Sequence, residues 1–262
     1  MRIAVLIKQV PSSEARIRIT ADGRGIEPGD VEFVVNPYDE YAMEAALQLK
    51  DKFGAEVVTV SLGPPRIHEA LRTSLALGAD RAVALDDPAL FGADAGGVAR
   101  MLAAAVRKLE ADLVLCGKLS IDEENSSVGV QVAELLGWPH VSVVSKLEFA
   151  DERHARVERE IEGGVEQIDV DCPAVLTANK GLNEPRYPSL KGIMMAKKKP
   201  LESWDAAALG LDASAVGAAA ARVRIVALEP PPPRPAGQLV TGDAKEMVTK
   251  VVAALKNDRK LI

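Results

Sequence analysis

Three short stretches carry residue types that could hold an anionic ligand. Lys8-Gln9-Val10-Pro11 places an ammonium directly after an apolar run. Asn36-Pro37-Tyr38-Asp39-Glu40 offers an amide and two carboxylates where a helical pattern opens. Gly117-Lys118-Leu119-Ser120-Ile121-Asp122-Glu123-Glu124-Asn125-Ser126-Ser127-Val128-Gly129 combines a glycine, small hydroxyls and an asparagine ahead of another helix. Free backbone N–H groups and the positive end of a helix dipole suit a phosphate there. Asp, Ser and Asn are also ordinary N-caps, so plain capping stands beside the phosphate reading. Glu123 and Glu124 count against a phosphate unless they point away. Gly63-Pro64-Pro65 is a fourth wall of the same crevice or only a turn.

Templates for covalent chemistry fail. His68, His140 and His154 are too scattered for a local zinc motif, and Cys116 and Cys172 form no Cys-x-x-Cys pair. There is no Gly-x-Ser-x-Gly elbow and no Walker loop. Gly23-Arg24-Gly25 lacks the third glycine and the helix of a dinucleotide fingerprint. The chemistry on offer is binding, not general acid–base or nucleophilic catalysis.

The elements that must position these loops follow from periodicity. Strand-like runs at Ile3–Ile7, Val31–Val35, Glu56–Ser61, Arg81–Leu85 and Asp112–Cys116 alternate with helical patterns at Asp39–Phe53, Ile67–Leu77, Asp94–Leu109 and Ser126–Leu136. A small hairpin is expected around Ala21-Asp22-Gly23. The main strands are apolar throughout, as when helices cover both sheet faces. The alternation predicts an α/β fold, a Rossmann-like parallel sheet with right-handed crossovers and with the loops at the carboxyl ends of the strands, where open sheets bind ligands. After Pro139 the pattern changes. Val141–Leu147, His154–Ile161, Val165–Val170 and Ala174–Thr177 read as strands without helices, and Glu162-Gly163-Gly164 turns the middle pair into an antiparallel hairpin on the sheet.

Composition bounds the rest. The chain has 262 residues, net charge −6, 48% hydrophobic and 3% aromatic residues. A packed core is within reach, and neither a basic nucleic-acid surface nor aromatic stacking platforms are indicated. No apolar run reaches the ~18 residues of a membrane span, and the apolar start lacks a cleavage site, so a cytoplasmic, non-embedded protein is expected. Two domains are expected: an α/β body over residues 1–200, including a loop at about 183–199, and an extended arm over 201–262. The arm holds a strand at Arg222–Ala227, the spacer Pro230-Pro231-Pro232-Pro233, and a helix at Asp243–Lys256 with apolar Met247, Val248, Val251, Val252 and Leu255. Beyond a stiff spacer such a helix suits a partner surface better than its own core. The loop sets Leu190, Ile193 and Met194 beside Lys197, Lys198 and Lys199. It reads as a solvated basic helix end or as a docking loop with apolar anchors and steering charges.

The ordered blocks Val5-Leu6-Ile7-Lys8-Gln9-Val10-Pro11, Asn36-Pro37-Tyr38, Gly63-Pro64-Pro65, Leu77-Gly78-Ala79-Asp80, Leu115-Cys116-Gly117-Lys118 and Ala133-Glu134-Leu135-Leu136-Gly137-Trp138-Pro139 resemble the β subunit of electron transfer flavoproteins. So do Val157–Glu166, Pro173–Thr177 and Asn183–Lys199, and the resemblance spans nearly the whole chain. It implies an adenine-nucleotide α-hydrolase-like fold and a heterodimer with an α subunit, clasped by the arm. It implies an FAD held mostly by that partner and a structural AMP in this chain. Leu6, Lys8, Asn36, Tyr38, Leu62, Gly117, Asp122, Asn125, Ser126, Ser127 and Val128 would hold the nucleotide, with the phosphate near Asp122 and Asn125–Ser127. Leu190 would anchor on acyl-CoA dehydrogenases or other flavin dehydrogenases, whose electrons, as in fatty acid oxidation, pass towards a membrane quinone oxidoreductase. Electron-bifurcating relatives carry a second FAD in place of AMP, with a loop that usually reads Asp-Gly-Asp-Thr-Ala-Gln-Val-Gly. Here Asp122–Gly129 keeps the Val-Gly ending but not Gly-Asp-Thr, while Trp138-Pro139 matches the AMP type. Ser13 stands where some members place an aromatic near the flavin.

Overall fold

A computed structural model describes residues 1–234 and 236–261. Pro235 and Ile262, both in the expected arm, lie outside the described residues. In chain order the elements are β1 (Arg2–Leu6), β2 (Gln9–Pro11), β3 (Phe33–Val35), α1 (Pro37–Phe53), β4 (Glu56–Leu62), α2 (Ile67–Leu77), β5 (Arg81–Leu85), α3 (Ala95–Leu109), β6 (Leu113–Gly117), α4 (Val128–Leu136), β7 (His140–Phe149), β8 (His154–Ile161), β9 (Gly164–Asp171), β10 (Ala174–Ala178), α5 (Leu190–Ala196), β11 (Leu201–Ser203) and α6 (Ala244–Ala253).

Nine strands form one sheet in the order β11-β5-β4-β1-β6-β10-β7-β8-β9. All are parallel except at the β7–β8–β9 end. Along the central strands both sheet faces are dry. Along β1, Ile3 and Val5 enter the layer packed with Met43, Leu47, Leu71 and Leu75 of α1 and α2. Ala4 and Leu6 enter the opposite layer with Leu102 and Val106 of α3 and Val132 of α4. Two buried faces explain why the central strands do not alternate with polar residues.

From β1 the chain crosses to β4 on one side and later to β6 on the other. This reversal opens a crevice at the carboxyl ends of β1 and β6. A two-stranded sheet of β2 and β3 folds the chain back, so that the Asn36 N–H donates to the Lys8 carbonyl (2.8 Å) and α1 starts beside the end of β1. The small hairpin is present as the Ile19–Ile26 bridge.

The hairpin β8–β9 extends the sheet as its antiparallel end. The last of the four expected strands behaves differently. β10 inserts between β6 and β7, parallel to both, with all five of its residues buried. Unexpectedly, β11 covers the free edge of β5. It brings Trp204, Ala206, Leu209 and Val216 into the α3–α4 layer, so the packed body continues past residue 200.

The expected strand at Arg222–Ala227 does not form. The Asp94 carboxylate takes the Arg222 and Val223 N–H groups (2.7 and 3.1 Å) that a ladder would need. Val223 and Val226 are left exposed. Further on, the four prolines carry no secondary structure. α6 has no buried residue, and its stripe of Met247, Val248, Val251 and Val252 is open. No helix among the described residues is long and apolar enough to cross a membrane.

Candidate functional site

Where β1 and β6 splay, their ladder ends at the Leu6–Cys116 pair. The next donors, the N–H groups of Lys8 and Gly117, have no strand partner on that side. Asp39, in the first turn of α1, supplies one. Its carboxylate accepts from the Lys8 N–H (2.8 Å) and from the Gly117 N–H (2.7 Å). Gly117 must be glycine for this approach, because a Cβ there would lie 2.6 Å from both Asp39 Oδ1 and Tyr38 Cβ. Asp39 is only 5% exposed. Desolvation pushes its pKa up to about 7, against the opposing pull of the two backbone hydrogen bonds, Asn36 and the Lys8 charge.

The two other tethers come from residues singled out in the sequence. The Asn36 amide donates to the Leu119 carbonyl (2.8 Å), and its oxygen accepts from the Ile121 N–H (3.2 Å). Asn36 therefore leaves α1 without a side-chain cap and holds the 117–127 loop instead. The Lys8 ammonium donates to Asp122 (2.9 Å) and to Ser120 (3.3 Å) and lies 3.5 Å from Glu123. Burial raises the Asp122 pKa, but the hydrogen bonds from Lys8 and Ser120 and the Lys8 charge outweigh it and hold the carboxyl below its ordinary value. Lys8 is shared between Asp122 and Glu123, so its single charge does not neutralise both carboxylates.

The loop reaches α4 through strained backbone: Glu124 and Ser126 have φ of 49° and 51°. Non-glycine residues there are sparse and are held by their surroundings. Ser126 is therefore outside the helix, which starts at Val128 and not at Ser126. Ser127 is the N-cap residue, yet its side chain caps nothing. Its hydroxyl and N–H turn towards Asn125 Oδ1 (3.4 and 3.3 Å). α3, α5 and α6, in contrast, are closed by Asp94, Ser189 and Asp243. Gly129 lets α4 lie close on the sheet, where a Cβ would meet Cys116 Sγ at 2.8 Å and Thr177 Cγ2 at 2.9 Å. An anion at the first turn of α4 would meet uncapped N–H groups, small hydroxyls and the nearby Lys8 loop.

Leu6 is buried beneath this rim, and Leu62 ends the neighbouring β4. Tyr38 is half-buried, with Lys118 Nζ 5.3 Å from its ring centroid. Asn125 is exposed on the outside of the loop. Asp39, the residue that joins the strand ends, lies in one of the loops read from sequence but not among the residues expected to hold the nucleotide. A carboxylate in a first turn looks like a dipole partner, and only the fold shows it turned onto the sheet.

The second candidate region lies away from the crevice. Arg186 pairs with the buried Glu44 (2.8 and 3.0 Å) and with Asp51 (2.9 Å) on α1. Arg72 of α2 donates to the Ala196 and Lys199 carbonyls. Gly192 approaches Ala76 so closely that a Cβ would stand 2.3 Å from its carbonyl oxygen. On this platform Leu190 is 83% and Met194 74% exposed, with Ile193 also open. Lys197 and Lys198 are exposed, but Lys199 turns inward and donates to the Leu75 and Ala79 carbonyls (3.0 and 2.6 Å) at the end of α2. Burial, then the Lys50 charge, lowers its pKa.

The architecture so far is that of a doubly wound α/β binding protein with a polar crevice at its switch point and an apolar presenting helix on one flank. Comparison with known proteins refines this. The electron transfer flavoprotein domain pattern matches residues 26–209. The electron transfer flavoprotein subunit beta of Thermoanaerobacterium thermosaccharolyticum is 40% identical over 263 residues, covering the whole of both chains. The subunit of the same name from Bos taurus is 38% identical over 259 residues, 98% of this chain and 97% of the relative. A caffeyl-CoA reductase-Etf complex subunit, CarD, of Acetobacterium woodii is 39% identical over 259 residues, 98% of each chain. The chain belongs to the electron transfer flavoprotein family and stands with its beta subunits.

Proposed function

We propose that this chain, as the β subunit of a heterodimeric electron transfer flavoprotein, carries electrons from flavin dehydrogenases such as acyl-CoA dehydrogenases towards a membrane quinone oxidoreductase, from the cytoplasm. The observation that carries the nucleotide part is the uncapped first turn of α4 beside the Lys8 loop at the switch point. AMP would place its phosphate near Ser126, Ser127 and the Val128 end of α4, and its adenosine towards Leu6 and Asn36. FAD, held mainly by the α subunit and completed by this chain, supplies the electron chemistry, and the protein contributes binding, orientation and electrostatics. No residue here needs to act as a general acid or base. The arm beyond Ala221, with the open stripe of α6, clasps the α subunit. Leu190, Ile193 and Met194 enter a pocket of the dehydrogenase, and Lys197 and Lys198 steer it.

A second reading has its own support: the CarD relative is as similar as the others, and the Val128-Gly129 ending and Asn36-Pro37-Tyr38-Asp39 lean the same way. In that reading the crevice holds a second FAD in place of AMP, and the complex is an NADH-oxidising, bifurcating enzyme. Co-purification with the α subunit, acid release and chromatography of the nucleotides tests both. One FAD and one AMP per heterodimer supports the carrier. Two FAD and no AMP selects the second reading, and a heterodimer with no bound nucleotide rejects both.

A further inference from the structure

We propose that Asp39 is the positioning residue of the crevice: its buried carboxylate clamps the diverging ends of β1 and β6, and only the ionised clamp holds the Lys8 and Gly117 loops in the nucleotide-binding arrangement. This rests on the nucleotide reading above and deepens it.

At a switch point two parallel strands part, and their next N–H groups lose ladder partners. Here one carboxylate satisfies both, with one oxygen for each donor (2.8 and 2.7 Å). Lys8 carries the ammonium that fixes Asp122, and Gly117 begins the loop that ends at α4. Moving either strand end therefore moves the anion-binding rim. Asn36 and Lys8 hold the same loop further along, so the carboxylate acts at its root and they act at its middle.

Protonation changes the clamp. A carboxylate accepts at both oxygens, whereas a carboxylic acid presents a hydroxyl that donates, so one N–H loses a strong acceptor. Burial places this change near neutrality, with the carboxyl pushed up to about 7. Lys8 faces Asp39 from the end of β1, and the Cys116 thiol, raised by burial and by the Asp39 charge, faces it from β6. Glu40, next along α1, is itself raised by desolvation. Asp122 is joined to the cluster through Lys8. With the folded value above the unfolded one, the stability linked to Asp39 is fully present below the ordinary carboxylate range and is lost as pH rises through about 7. The ionised clamp thus organises the crevice at the expense of the fold.

The test measures binding of adenosine and of AMP to the full chain, freed of nucleotide, at about pH 6 and about pH 8, values that bracket the titration. Adenosine has no phosphate to titrate, whereas the second ionisation of a phosphate near pH ~6 would confuse AMP alone. Adenosine should bind roughly three- to ten-fold more weakly at the lower pH, as when one charge-assisted hydrogen bond beneath the site is weakened. Asp39→Asn should bind as weakly as the acid form and show no pH dependence. A flat wild-type profile, or an unchanged slope in Asp39→Asn, overturns the inference while leaving the nucleotide reading intact. Absence of adenosine and AMP binding at both pH values rejects the nucleotide reading and the inference with it. Should Asp39→Asn not fold, carbon-13 NMR of the wild-type Asp39 carboxyl decides: its titration midpoint should fall when adenosine binds, and an unmoved midpoint overturns the inference.

Discussion

α4 and α5 both start after a serine, and the two ends are finished in opposite ways. Ser189 accepts from the Gly192 N–H (3.0 Å) and closes α5. Ser127 turns aside to Asn125 and leaves α4 open. Around the open end, long-range hydrogen bonds to Asp39 and from Asn36 and Lys8 hold the loop that leads into strained backbone at Glu124 and Ser126. Around the closed end, Arg186, Arg72 and Lys199 fix a platform whose outer side chains are exposed. The same residue type before a helix thus leaves backbone donors free in one place and closes them in the other. The polar atoms that remain free, not the serine, tell them apart.

The largest effect should come from removing the C-terminal arm altogether. Deleting residues 236–262 discards the open stripe of α6, and several apolar side chains at ~1.5–3 kcal/mol each imply at least a roughly hundred-fold loss of α-subunit affinity. The thermal melt of the truncated chain should stay near that of the full chain, because α6 has no buried residue. Unfolding of the truncated chain, or assembly at native affinity, breaks the view of α6 as a clasp.

Next is Leu190→Ala. Burying this side chain in a partner is worth ~1.5–3 kcal/mol, so binding to an acyl-CoA dehydrogenase should weaken about ten-fold or more. Flavin content and chain stability should not change, since Leu190 is already exposed. Electron transfer at the normal rate across a range of dehydrogenase concentrations would return the platform to a solvated helix end.

Ser127→Asp attacks the open end. A carboxylate beside the phosphate repels it by on the order of 1 kcal/mol in a screened crevice, more if the site is dry. It would also give α4 the cap that Ser127 withholds, so stability should hold or rise while nucleotide content falls. Unchanged AMP content in the purified heterodimer would move the phosphate elsewhere.

The smallest effects separate three neighbouring lysines. Lys197→Gln with Lys198→Gln should slow association with the dehydrogenase and reduce its salt dependence. Lys199→Gln should leave association alone and lower stability by ~0.3–1 kcal/mol, because its ammonium completes the carbonyl end of α2. Equal kinetic effects from all three would erase the distinction drawn from its inward turn.

Much of the scaffold was legible in the sequence. The runs from Ile3 to Cys116 specify strands because apolar and β-branched residues dominate them. The helices end at Gly54, Gly78 and Gly137 because glycine tolerates the positive φ each of them adopts. Two of the three candidate loops, those after β1 and β6, were picked out because the carboxyl ends of parallel strands are where such sheets leave backbone groups free, whereas the Asn36 loop follows β3 of the antiparallel pair. Apolar anchors beside lysines marked the platform, though the spacing of Lys199 gave no sign that it faces inward.

Other features depended on which segments meet. Ala174–Thr177 reads as one more apolar strand, and only the tertiary fold places it, as β10, between β6 and β7. Arg222–Ala227 has strand-forming residues, but Asp94, distant in sequence, takes the N–H groups of Arg222 and Val223. Asp39 is an ordinary first-turn carboxylate in the sequence. It becomes a clamp because residues 8 and 117, far apart along the chain, present two unpaired donors to one buried group. The sequence by itself determined the local periodicity, the turns and the apolar faces, which depend on near neighbours. The tertiary structure decided strand order, edge coverage and the partners of buried polar atoms, because each is settled by competition between segments distant along the chain.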